Sequence, residues 1–139
     1  MKNIVLISCV SKKQSTRNKT RDMYISPLFK KNLVYAKTLN PDLIYVLSAK
    51  YGLLSLDEYI NPYNETLNKM GIERIKIWSK KIINTLKKAH DLERDCFIFL
   101  AGLNYRKFLV PKLKNYKIPM EGLTIGQQLK WLNNKIRNV

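Results

Sequence analysis

A three-layer α/β fold, with a small and mostly parallel sheet flanked by helices, is what this sequence predicts, and three observations carry the prediction. Three apolar runs, NIVLISC (3 to 9), DLIYVLS (42 to 48) and DCFIFLAG (95 to 102), share one form: continuous hydrophobic residues that end in small or polar ones. Strands that are apolar on both faces belong in parallel sheets covered on both sides. Stretches of helical periodicity separate and follow the runs, and strand, helix, strand, helix, strand, helix is the alternation of three-layer α/β proteins. The chain has 139 residues, 45% of them hydrophobic, which suits a single domain over 1–139 with a substantial core. No repeat, low-complexity segment or linker interrupts it.

Each element has its own justification. The first run is followed by a stretch, 10 to 24, rich in Lys, Ser, Thr and Arg, which is expected to stay mobile in the free protein. Ser26 then offers an N-cap hydroxyl and Pro27 a first helical residue, with Phe29, Leu33 and Ala36 falling on one face. After the second strand, Ile75, Trp78, Ile82 and Leu86 recur at helical spacing. Lys76, Lys80, Lys81, Lys87 and Lys88 lie largely off that stripe and make a basic outer ridge. The third strand leads to a C-terminal helix marked by Ile125, Leu129, Leu132 and Ile136, with Gly122 and Gly126 near its start. EGLTIG is neither a P-loop nor a dinucleotide fingerprint, which disfavours NTP and NAD chemistry. Trp78 and Trp131, on or beside apolar stripes, read as core or rim packing.

Composition narrows the class of function. Lys and Arg number 26 against 10 Asp and Glu, a formal charge of +16, and such an excess is the electrostatic footprint of a protein that meets phosphate backbones. Lysine supplies 20 of the 26, as an AT-rich genome would favour, but that bias should raise glutamate as well. No apolar run approaches the ~20 residues of a membrane span, and MKNIVLISCV turns polar too soon for a signal peptide. A cytoplasmic protein without a membrane role is expected. Cys9 and Cys96 are far apart and His90 stands alone, so neither a disulfide framework nor a metal site is indicated, and no cofactor is called for.

Ligands of open parallel sheets bind beyond the carboxyl ends of the strands. Here those ends carry Ser8, Cys9, Ser11, Lys12 and Lys13 after the first strand, Ser48, Lys50, Tyr51 and Gly52 after the second, and Gly102, Asn104, Tyr105 and Arg106 after the third. Gly52 also suits a turn that needs positive φ, and Tyr51 a half-buried ring with a wet hydroxyl. All three ends collect polar groups, and together they predict one site.

The segments SCVSKK, TRDMYISPLFKKNLVYA, LSAKYGLL followed by Asp57 and NPYNETL, AGLNYRKFLVPKL and PMEGLTIGQQLKWL resemble, in order and over nearly the whole chain, a bacterial and phage family known only as a domain of unknown function. Leu47 to Tyr63, with S-x-x-Y-G-L-L, an aspartate and P-Y, is also similar to the central motif of the YaaA peroxide-stress family of DNA-binding proteins. YaaA proteins are much longer and usually carry arginine after P-Y, where this chain has Asn64. The resemblance implies a uracil-DNA-glycosylase-like fold and chemistry on nucleic-acid bases, of the kind used in excising modified bases or in phage defence.

Cleavage of a base–sugar bond passes through an oxocarbenium-like transition state, which asks for a carboxylate near the sugar and donors for the departing base. Asp42, Asp91, Glu93 and Asp95 precede strands and so lie at the wrong sheet edge, and Glu73 suits the first turn of a helix. Of Asp22, Asp57, Glu58, Glu65 and Glu121, the pair Asp57 and Glu65 is preferred, because both sit in the loop that passes Pro62 and Tyr63. A surface salt bridge is the plain alternative for each. Ser8, Cys9, Ser48, Tyr51, Gly52, Tyr63, Asn104 and Tyr105 are the expected base- or substrate-binding residues, the tyrosines stacking and Asn104 pairing. Lys12, Lys13, Lys50 and Arg106 are expected to hold phosphates. A nucleophilic Cys9 would need an activating histidine that the sequence does not place nearby.

The expectation is therefore a nucleic-acid-binding protein, DNA ahead of RNA, acting on a base glycosidic bond as a DNA-glycosylase-like hydrolase. Two alternatives stand beside it. One is a non-catalytic DNA- or RNA-binding module, and the other a small-molecule enzyme like a nucleoside deoxyribosyltransferase.

Overall fold

A computed structural model describes residues 1–8 and 12–137, so Cys9 lies outside the described residues. In chain order these form β1 (Asn3–Ser8), β2 (Asn18–Lys19), α1 (Thr20–Met23), α2 (Pro27–Thr38), β3 (Leu43–Ser48), β4 (Gly52–Ser55), β5 (Tyr59–Ile60), α3 (Ile72–Ala89), β6 (Cys96–Leu100), α4 (Leu103–Arg106), β7 (Asn115–Lys117) and α5 (Ile125–Arg137). The central sheet runs β4-β3-β1-β6-β7. Its strands are parallel except β4, which folds back antiparallel on β3 and forms one edge. The fold is thus α/β, with a five-stranded, mostly parallel sheet between helices.

Strand alternation explains why the runs are apolar throughout. Ile4 and Leu6 of β1, Leu47 of β3 and Phe97 and Phe99 of β6 face α3, meeting Ile75, Trp78, Ile82, Ile83 and Leu86. Val5, Ile7, Val46, Ile98 and Leu100 point the other way, onto Phe29 and Ala36 of α2 and Leu132 of α5. Each strand therefore feeds two cores at once. Among the described residues no helix is long and apolar enough to cross a membrane.

The helix ends obey the expected chemistry. Ser26 Oγ accepts from the Phe29 amide at 3.2 Å, with Pro27 in the first turn. At α5 the cap is reciprocal: the Gln127 amide donates to Thr124 Oγ1 at 3.3 Å and the Thr124 amide to Gln127 Oε1 at 2.9 Å. This is a capping box on threonine and glutamine.

Two parts of the sequence reading need correction. The strands β4 and β7, and the small antiparallel pair β2 and β5, were outside a prediction of three strands. The 10 to 24 stretch is not a free loop over its described part. Thr20 and Met23 are fully buried, and the amides of Gln14, Thr20 and Arg21 donate to the carbonyls of Met23, Glu58 and Leu56 at 2.8 to 3.0 Å. Met23 and Tyr24 supply the apolar area that a composition of Lys, Ser and Thr conceals.

Candidate functional site

The crossover from β1 through α2 leads to β3, whereas the chain leaving β6 goes on to β7 on the other side, so the sheet order reverses between β1 and β6. A crevice opens beyond the carboxyl ends of strands at such a switch point. Ser8 ends β1, and its Oγ accepts from the Gly102 amide at 3.1 Å, tying the ends of β1 and β6 together. Over that tie lies a cavity of about 360 Å³, lined by Ser8, Phe29, Asn32, Gly102, Tyr105 and Gln128 among others. That is toward the small end of ligand-pocket sizes, which run from about 300 to 1,000 Å³. No Asp, Glu, Lys or Arg lies among its described lining residues, which also include Asn68.

The amides in this lining are differently engaged. Asn68 Oδ1 accepts from Asn104 Nδ2 at 2.9 Å, and Gln128 Nε2 donates to the Leu123 carbonyl at 3.0 Å. Asn32 is 2% exposed, and its Oδ1 has no hydrogen-bond partner among the described residues. Tyr105, fully packed with its ring edge-on to Trp78, receives the Leu67 amide on its hydroxyl at 3.3 Å and meets Thr66 Oγ1 at 3.4 Å.

Thr66 belongs to a second, cationic feature. A groove of about 370 Å³ is lined by Lys12, Lys13, Tyr63, Asn64, Thr66 and Lys69, together with Gln14 and Pro62. The Thr66–Tyr105 contact is the wall between the uncharged cavity and this groove. Lys13 Nζ stands 4.6 Å from the centre of the Tyr63 ring, a cation–π contact that fixes one of the charges.

The strand ends do not line one pocket. Lys50, Tyr51 and Gly52, after β3, border a separate groove of about 420 Å³ against α3, with Arg74 and Lys81. Ser48 fixes the corner: its Oγ accepts from the Tyr51 amide and its carbonyl from Trp78 Nε1, both at 2.9 Å. Gly52 follows with φ of +77°. The two regions touch through tyrosines, since the Tyr51 and Tyr63 rings are 5.6 Å apart edge to face. Tyr51 also holds the Asn61 backbone through its hydroxyl, and the Tyr63 and Tyr24 hydroxyls are 2.6 Å apart. Tyr51 and Tyr63 thus brace the 61 to 63 segment, while Lys50 Nζ lies 5.3 Å from the Tyr51 ring.

The preferred carboxylates are not in the cavity lining. Asp57, 70% exposed at its side chain, accepts from Arg21 at 2.9 and 3.1 Å. Glu65 is exposed, between Asn64 and Thr66 of the groove, and has no ion-pair partner among the described residues. Arg106, only 14% exposed, donates from Nε to the Ala101 carbonyl at 3.2 Å and lies 3.9 Å from Glu121. It pins the turn after β6. Asn32, Asn68, Lys69 and Gln128 were not singled out by sequence. Asn32 alone left a sequence signal: a polar residue three after Phe29 and four before Ala36, on the stripe that packs inward.

The chain belongs to a family described as a family of unknown function (DUF6884), whose model matches residues 4–134. No curated protein matches it.

Proposed function

We propose that this member of that family is a nucleic-acid-binding protein that takes one base into the cavity between β1 and β6 while the lysine groove holds the adjoining phosphates. One observation carries the reading: an uncharged, amide-bearing cavity shares a wall, Thr66 against Tyr105, with a groove carrying Lys12, Lys13 and Lys69. A neutral heterocycle and a phosphate anion ask for those two environments side by side. The likeness of Leu47 to Tyr63 to the YaaA family of DNA-binding proteins, and the uracil-DNA-glycosylase-like fold implied with it, support the same reading.

Hydrolysis of the base–sugar bond is the chemistry we propose for the site, with Glu65 as the carboxylate. Glu65 is exposed and stands in sequence between two residues that line the groove, Asn64 and Thr66, whereas Asp57 is engaged by Arg21. In that reaction the C1′–N bond breaks as water adds to C1′; one water proton goes to the carboxylate and the base leaves with a proton from solvent or a donor. The absence of a carboxylate from the described cavity lining favours a second reading, a module that binds bases without turning them over.

The deciding experiment incubates wild type, Glu65→Gln and Asp57→Asn with normal and modified-base DNA, with RNA and with free nucleosides, and assays released bases by mass spectrometry. Release by wild type and Asp57→Asn but not Glu65→Gln is the expected result. Equal, salt-sensitive binding by all three without release would leave the binding module. Activity on free nucleosides without nucleic-acid binding would point to the deoxyribosyltransferase-like alternative.

A further inference from the structure

β4 is an edge strand without the usual protection of one. Among the described residues it pairs only with β3, so the outer row of its amides and carbonyls has no strand against it. Gly52–Ser55 reads GLLS, with no charge and no proline, the features that commonly keep other chains off a sheet edge. Beside this edge runs the groove of about 420 Å³ between β4 and α3.

α3 turns a patterned flank to that groove. Arg74, Ile77, Lys81 and Thr85 recur every three or four residues along it. That stretch is about 16 Å at 1.5 Å per residue, which about five residues of extended chain would match. Ile77 is 59% exposed, off the stripe that α3 buries. Lys50 adds a third cation, the described lining holds no carboxylate, and none of the three cations has an ion-pair partner among the described residues.

We propose that β4 and this flank of α3 are the docking site for an extended acidic segment of a partner protein, added to the sheet as one more strand. Alternate side chains of a strand share a face, so the segment reads acid, any residue, apolar, any residue, acid. Its apolar side chain covers Ile77 and its acids meet Arg74 and Lys81. Main-chain hydrogen bonds to β4 supply affinity, and the side chains select the partner. A second copy of this chain is disfavoured, because a two-fold contact through β4 sets Lys50, Arg74 and Lys81 against themselves. A nucleic-acid strand would answer the cations but has no row of amides and carbonyls for β4, and would lay phosphates over Ile77. The site is separate from the cavity between β1 and β6, and the inference does not depend on base binding.

The test titrates isotope-labelled protein at low salt with the capped peptide GETVTEG and follows the amides of residues 52 to 55 by NMR and hydrogen exchange. Saturable binding that shifts these amides and slows exchange of the outer row is expected. GKTVTKG should bind at least about tenfold more weakly. Of two forms of GETVTEG methylated on alternate backbone nitrogens, one should bind at least about tenfold more weakly and the other nearly as well, because only one row faces β4. Arg74→Glu with Lys81→Glu should reverse the preference and favour GKTVTKG, a gain that a misfolded protein would not show. No saturable binding of GETVTEG, equal binding of GKTVTKG, equal behaviour of the two methylated forms, or an unchanged preference in the double variant would each overturn the proposal. So would protection of residues 52 to 55 by raised protein concentration alone, which would mark a second copy, or by oligothymidylate, which would mark nucleic acid.

Discussion

Gly52 has the backbone that one of its two sequence readings, a turn needing positive φ, calls for. It ends the corner after β3 with φ of +77°, and a Cβ built there would meet only Ile82 Cδ1, at 3.7 Å. Space is available, so the cost of a side chain is conformational. Gly52→Ala should destabilise the fold by about 1–2 kcal/mol, the penalty of a left-handed backbone, read as a lower urea midpoint at unchanged slope. Ser48 and Tyr51 were also placed correctly at a strand end, yet their polar atoms close the corner and hold Asn61. Residue type reveals that a polar group is present, and only the fold shows whether it is already used. Asn32 is the converse case: its place on the inward stripe, three after Phe29 and four before Ala36, is visible in the sequence, but only the docked helix shows that it is buried.

Elements were legible in proportion to how much they bury. β1, β3 and β6 are apolar on both faces and α3 has a clean stripe, so periodicity located them. β7 is three exposed residues, Asn115, Tyr116 and Lys117, at the sheet edge, and β4 is a four-residue edge strand. Neither repeats long enough to show a period. The direction of α3 sorts the basic ridge in a way that composition could not. The helix starts beside the carboxyl edge, where Arg74 borders the groove with Lys50, and ends at the opposite edge, where Lys87 and Lys88 adjoin Lys2 and Asp95. There they also complement the helix dipole. Replacing Lys12, Lys13 and Lys69 together by glutamine should lower the slope of log affinity against log salt by about 2 to 3, near 0.7–0.9 for each phosphate no longer neutralised. Replacing Lys87 and Lys88 should leave that slope almost unchanged. Equal reductions in the two variants would mean that nucleic acid, if bound, is held by overall charge and not by this groove.

On the scale of the whole molecule, the charge of +16 was plain from composition, but its consequence for stability depends on which groups the fold protects. At the amino edge of the sheet, Asp95 accepts from the amides of Lys2 at 2.8 Å and Asp91 at 2.9 Å. Those bonds hold its carboxyl below the ordinary value of 3.8, against burial, which raises it. Nearby, His90 contacts the Tyr45 hydroxyl at 2.7 Å, and burial, with the charge of Lys2, keeps it below its ordinary 6.5 despite the opposing pull of Asp95. Both depressions act in one direction. The unfolded chain takes up a proton at His90 before the native state does, so that contribution is complete above pH 6.5 and is lost as pH falls through the native value. The Asp95 contribution persists to lower pH and is lost as pH falls from 3.8 through its own depressed value. Protonating the remaining carboxylates meanwhile increases the net positive charge and its self-repulsion. Stability from urea titration should therefore decline in two stages on acidification, the first already present at pH 5. His90→Gln should flatten the first stage and reduce the second only slightly, because the His90 charge is the last of the causes that hold Asp95 down. Asp95→Asn should weaken the fold at pH 7 by about 2 kcal/mol, through two charge-assisted hydrogen bonds exchanged for weaker ones, and remove the second. Added sulfate should relieve the self-repulsion in every variant. A stability curve that is flat from pH 7 to pH 4 would show that His90 does not differ between the native and unfolded chains, and one without a further fall below pH 3.8 would show the same of Asp95.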